Sequence, residues 1–399
     1  MAADCDGEAA RRERTRLASR PDLTTLKRWL RRWVAVRHRD AAERTVMTAI
    51  AGGAPPSALA DLLFAAETDR VYAGGGHSLD FINKAFECLD IIGWEHAADV
   101  LPSIVGQMAA ARGAEERTAW RQPIDLIALC QQGAMGLPLF FVARKSSGWS
   151  DHVLLAESLL GDDPVTIIAA LTAAARDGAS PADLGRSLAY AAALRVARFG
   201  SANEHSDWET AHHVFTYSNA VHQALKRIGD NEINAGEPIE AVRALLHGAM
   251  ALYLARYLNV PPAALPGEGG DRFDDLPAAA EEIRAALLDT FDRQQQIDPA
   301  ARLVARHLIL GHPPESLIAT LARALLREDA GFHAYQMLEA GARQFREWGA
   351  GDQGRHILIA VARYLAAHFP IARAQLQTVD IARRLMRGGE LHREVQAAK

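Results

Sequence analysis

Three stretches of this chain follow one helical pattern, and each puts histidines at the starts of its helices. The first begins near Pro55 (PPSALADLLFAAETDRVYAGGGHSLDFINKAFECLDIIGWEHAADVL), the second near Pro164 (PVTIIAALTAAARDGASPADLGRSLAYAAALRVARFGSANEHSDWETAHHVF), the third near Pro313 (PPESLIATLARALLREDAGFHAYQMLEAGARQFREWGAGDQGRHILIA). Each reads as an apolar helix, a break, a second helix, a polar break and a third helix. His77 and His333 open the middle helix of the first and third copies; His96, the pair His212/His213, and His356 open the last helix of each. Equivalent helix starts can converge on one interior point, the way helical proteins build metal sites. The uneven spacing of the copies is not that of a solenoid array. The expected fold is all-α, a compact array of helix triplets in three degenerate repeats (about 52–110, 162–226 and 311–370) with fifteen to twenty helices. Residues 1–20 are expected to be a disordered charged N-terminus, and 21–399 a single all-α metal-binding domain.

Local signals agree with helix almost throughout. Ser180 is a plausible N-cap with Pro181 at the first helical position, and ESLIATLARALLR and HILIAVARYLAAHF space their apolar residues by three and four. PLFFVAR (138–144) is the one run that also suits a short strand. The breaks AGGAPP, YAGGGH, GDDP and GHPP are turn chemistry.

Composition removes several function classes. A formal charge of −5 gives no global attraction to nucleic acid or anionic membrane. No apolar run is long enough to span a bilayer, no signal-peptide core is present, and three scattered cysteines form no CxxC pair, so a reducing cytoplasm is expected. GxGxxG after a strand, GxxxxGK[ST], HExxH and GxSxG are absent, so no nucleotide cofactor is expected. Fifteen histidines, concentrated in the motifs above, are the departure from an ordinary globular chain.

The second copy carries the densest chemistry. In HSDWETAHHVFTYSNAVHQALKR, Ser206 or Asp207 can cap the helix and Glu209 suits its first turn. His212, Thr216, Asn219 and Gln223 form one stripe, with His213 beside it. That stripe either faces a wet cavity or metal, or lies at the surface while Val214, Tyr217, Val221 and Leu225 face inward. In the first copy His77, Asp80 and Lys84 share a face. Lys84, one of five lysines in an arginine-rich chain, either pairs with Asp80 or carries a carbon dioxide adduct and becomes an oxygen ligand. The metal set read from repeat logic is His77, His213, His333 and His356, with His212, His205, His96 and Lys84 as alternatives. Asp80, Glu209, Thr216, Asn219, Gln223, Glu328 and Asp329 would support them. Aromatic residues near these positions, above all Phe81, Tyr217, Phe332 and Tyr335, suit a flat apolar substrate.

AGGGHSLDFINKAFECLDIIGWEHAADVLPSI, HSDWETAHHVFTYSNAVHQAL, LLHGAMALYLARYLNVPPAALP and LLREDAGFHAYQMLEA resemble the helical region of bacterial Rieske-domain-containing proteins, over most of residues 50–375. Through His77 and the His213…Thr216 helix the chain is more distantly similar to the questin oxidase-like non-haem iron oxygenases, which act on polyketide aromatics. Unlike the fused proteins, these residues include no CxH…CxxH arrangement to hold a Rieske cluster. The resemblance implies oxygen chemistry at Fe2+ on an aromatic or polyketide-like molecule, with dioxygen and that molecule as partners and a separate electron donor where one is needed. Imidazole ligands alone do not select iron. Two other classes remain open: a non-catalytic helical-repeat scaffold, and a zinc hydrolase using Glu328 or Asp329 as acid/base.

Overall fold

Proline and aspartate set where helices begin. In the computed structural model, which describes residues 14–19, 21–141, 148–229 and 239–388, Asp163 accepts from the backbone N–H groups of Val165 and Thr166 and Pro164 takes the first helical position of α8 (Pro164–Arg176). Ser180 and Asp183 cap α9 (Pro181–Ala197) reciprocally, each side chain accepting from the other's backbone N–H at 2.9 and 2.7 Å. Among the described residues there are seventeen α-helices and no strand. Residues 137–141 form a 3-10 turn, so the run that also suited a strand is helical as far as it is described; its residues 142–144 lie outside. The expectation for the N-terminus likewise falls largely on residues outside the described set. Each of the three stretches read as copies contains three α-helices. No helix among the described residues is long and apolar enough to cross a membrane.

The chain divides into two compact units, residues 1–191 with 216–254, and 192–215 with 255–399. The first holds α1 (Leu23–Ala35), α2 (Arg39–Ala51), α3 (Pro56–Glu67), α4 (His77–Ile92), α5 (Ala97–Ala110), α6 (Leu126–Gly136), α7 (His152–Leu159), α8, most of α9, the later part of α10 (His205–Gly229) and nearly all of α11 (Arg243–Ala255). Before α4 the backbone is left-handed at Tyr72, Gly74, Gly75 and Gly76, and a Cβ at Gly76 would meet the Tyr72 ring at 3.0–3.2 Å. That turn lets Tyr72 bury itself between Trp120 and Tyr217.

The second unit contains the start of α10 together with α12 (Ala280–Phe291), α13 (Ile297–Ile309), α14 (Pro314–Arg327), α15 (Phe332–Trp348), α16 (Asp352–His368) and α17 (Ala374–Met386). Helix α16 is its core. Residues from Ile357 to Ala366 are all buried, and α16 packs against both α13 and α15. Even Arg363 is buried there, donating to Asp298 at 2.5 Å and to the Phe199 carbonyl at 2.6 Å. The approach of α15 to α16 depends on Gly341, where an added Cβ would sit 2.2 Å from Cγ2 of Val361, a side chain stiff at χ1.

Gly341→Ala should therefore destabilise the protein by about 1–3 kcal/mol through overpacking. Val361→Ala in the same chain should recover part of the loss, because it removes the opposing methyl. Urea denaturation of the single and double variants reads both effects, and strictly additive losses would contradict this packing account.

Candidate metal centre

Four side chains on the first turns of α10 lie along one stripe. His205, Glu209, His212 and His213 stand at i, i+4, i+7 and i+8, within an arc of roughly 100° at 3.6 residues per turn. The helix begins at His205, earlier than the sequence suggests, because Asp207 is not its N-cap: its carboxylate, in the first turn, accepts from the N–H of Glu204 at 3.2 Å. His212 and His213 thus sit two turns inside the helix. Facing this stripe in the second unit are His333, in the first turn of α15, and Tyr364 and His368, one turn apart at the end of α16.

Glu209 joins them. Its Oε1 accepts from the Tyr364 hydroxyl at 2.8 Å and lies 3.3 Å from Nε2 of His368. Its Oε2 lies 2.7 Å from Nδ1 of His333 and 3.8 Å from both Nδ1 of His212 and Nε2 of His213. Nε2 of His213 is 3.2 Å from Nε2 of His333. Nδ1 of His368 is 2.7 Å from the Tyr364 carbonyl, which fixes that nitrogen as the protonated donor and turns Nε2 toward the carboxylate. Rings stack around these contacts: His212 on Tyr364 at 4.9 Å, His205 edge-on to His368 at 4.3 Å, and Phe332 against His333 at 4.0 Å.

Several of the buried polar atoms here lack an aligned hydrogen-bond partner: Oε2 of Glu209, both ring nitrogens of His212, and Nε2 of His368. His212 is completely buried. An unsatisfied buried polar group costs about 1–3 kcal/mol, so several of them around one carboxylate fit a cation holder better than a dry core. Two sets within this unit, His205/Glu209/His368 and Glu209/His212/His213, bring their ligand atoms within 4.8 Å of one another. Two ligands bound at about 2.1 Å and roughly 90–110° apart are separated by roughly 3.0–3.4 Å, which matches the His213–His333 and Glu209–His368 spacings.

The protonation states suit a metal. Burial works to raise the carboxyl of Glu209, but its contacts with His368 and the Tyr364 hydroxyl outweigh it and hold it at about 2. Burial, then the neighbouring His213, pushes His212 well below the ordinary imidazole range; burial lowers His333 as well. At neutral pH the ionised Glu209 carboxylate lies beside neutral imidazoles of His212 and His333, the state in which such residues bind metal.

The remaining candidates stand on other elements or at other positions of these helices. His77 opens α4 in the first unit, half-buried beside Phe81. Lys84 ion-pairs with Glu87 at 2.9 Å, and Asp80 is buried in the same helix. His96 is exposed in the turn before α5. His356 lies in the first turn of α16, about 18 Å along the helix from His368; burial and Arg355 hold it at about 4. Thr216 and Asn219 are buried, and so are Val214, Tyr217, Val221 and Leu225, so the stripe along α10 is not a solvated face; Gln223 is half-buried. Glu328 accepts from Arg373 and from the Ile371 N–H, and Asp329 from the Gln375 N–H, contacts that tether the segment leading into α17. Phe332 and Tyr335 are exposed on the first turn of α15, whereas Tyr217 is buried in the first unit. His368 and Tyr364 were not singled out by sequence; their i, i+4 spacing at the end of α16 was the available signal. Comparison with known protein families, characterised proteins and solved structures returns no match.

The pH dependence of stability checks the electrostatics. A carboxyl held at about 2 in the fold and returned to 4.5 on unfolding stabilises the native state above pH 4.5, and that contribution is lost as pH falls toward 2. In chelator-treated protein, Glu209→Gln should be less stable than the parent by about 1–2 kcal/mol at pH 7, with the gap narrowing below pH 4.5 and closing as pH falls through about 2. A gap independent of pH would contradict this origin.

Proposed function

We propose that the second unit holds a transition metal, Fe2+ in the leading assignment, between Nε2 of His213 and Nε2 of His333, with Oε2 of Glu209 orienting the His333 ring through its Nδ1 and His212 behind them, and that the protein is a metal-dependent oxidase or oxygenase of an aromatic, polyketide-like small molecule. The observation that carries this reading is the 3.2 Å approach of two imidazole Nε2 atoms, one of them on a ring whose Nδ1 lies 2.7 Å from the ionised Glu209 carboxylate. Iron held by imidazole supplies dioxygen activation next to an organic substrate.

The chain's own groups account for the rest. Glu209 stays ionised and brings the His333 ring to face His213. Tyr364 donates to Oε1, which fixes the carboxylate plane and leaves Oε2 directed at the histidines. Phe332, half exposed and tilted against His333, offers a ring face that a flat substrate can cover, worth about 0.5–1.5 kcal/mol beyond area burial. Dioxygen and the small molecule are the partners in this reading, with a separate reductant for any reaction that consumes electrons.

Metal analysis of protein purified without an affinity tag, together with His213→Ala and His333→Ala, tests it. The expected result is stoichiometric iron in the parent, at least tenfold less in each variant with far-UV circular dichroism unchanged, and oxygen uptake with hydroxylated anthraquinones by the loaded parent alone. Protein that contains no transition metal and takes up none on reconstitution would overturn the reading and favour a non-catalytic helical scaffold.

A further inference from the structure

The two oxygens of Glu209 face different histidines. Oε2 is turned to His333, His213 and His212, whereas Oε1 is turned to His368 and, across the His368 ring, to His205. Resting on the metal reading above, we propose that this is a two-cation centre: a second divalent ion binds on the far side of the carboxylate, held by Oε1 of Glu209, Nε2 of His368 and a ring nitrogen of His205.

Three independent features support the second position. Nε2 of His368 is buried with no aligned hydrogen-bond partner, only Oε1 of Glu209 at 3.3 Å, although its Nδ1 is committed to the Tyr364 carbonyl. A histidine fixed in that tautomer presents its lone pair in one direction, as metal-bound histidines do. The ligand atoms of His205, Glu209 and His368 lie within 4.8 Å of one another, and the Glu209–His368 separation of 3.3 Å equals that of two ligands on one ion. Oε1 also has capacity for both neighbours: a carboxylate oxygen accepts twice, so the Tyr364 hydroxyl can take one lone pair and an ion the other. His205 is exposed at the start of α10, which gives the ion a route from solvent and leaves positions that water can fill.

One carboxylate, orienting a ligand of the first ion and ligating the second, sets the order of binding. Two divalent cations close together repel, and a single negative charge between them offsets only part of that repulsion. The second equivalent is therefore expected to bind at least about tenfold more weakly than the first.

Titration of the metal-free full-length protein with Co(II), followed by visible absorption and by metal-to-protein ratio after gel filtration, distinguishes the possibilities. The expected result is two equivalents in two steps, with His205→Ala and His368→Ala each losing the weaker step and keeping the tighter one. His205 is exposed, so its replacement leaves the fold intact and keeps the test decisive even if His368→Ala misfolds. A single equivalent lost in His213→Ala but kept in His205→Ala would overturn the second site while leaving the proposed function standing. Two equivalents that persist in both His205→Ala and His368→Ala would overturn the placement. No bound cobalt at all would overturn the proposed function, and the second ion with it.

Discussion

One carboxylate organises the second unit. Glu209 is approached by side chains from three helices: its own partners on α10, His333 from α15, and Tyr364 and His368 from α16. A single ionised oxygen pair cannot satisfy so many imidazoles as a hydrogen-bond acceptor, and the orphaned nitrogens of His212 and His368 are the consequence. Proteins retain buried polar clusters of this kind where the cluster acts, since an apolar core of the same shape would be at least as stable. The stability that offsets the cluster comes from α16, buried from Ile357 to Ala366, and from the close α15–α16 contact at Gly341.

The helices were largely legible because their signals are local. Asp163 with Pro164, and Ser180 with Pro181 and Asp183, announce helix starts that the backbone then adopts. His213 and His333 were legible as candidates because both follow polar breaks, although His213 lies two turns inside α10 and not at its start. His368 was not, because it ends an otherwise apolar helix, and nothing in HILIAVARYLAAHF says that the chain folds that end back against the first turns of α10. Glu209 read as an ordinary first-turn acid for the same reason: its role comes from long-range packing. The pattern that made His356 attractive was its place at a helix start, but a helix of that length separates its two ends by more than any ligand sphere.

The arrangement also explains why the histidines would serve a metal and not merely a proton. Burial keeps His212 and His333 neutral at physiological pH, while Glu209 remains charged. Lone pairs are thus available without acidifying the medium, and an incoming cation displaces few protons. Phe332 and Tyr335 leave apolar ring area exposed on the same turn as His333, so substrate and metal would meet at the start of α15.

The most direct measurement is anomalous X-ray scattering from crystals of the full-length protein grown with Fe(II) under anaerobic conditions, with data at the iron edge. The account predicts a strong anomalous peak about 2.0–2.3 Å from Nε2 of both His213 and His333. Ordered water in that position without anomalous signal, or iron only at exposed surface carboxylates, would contradict it.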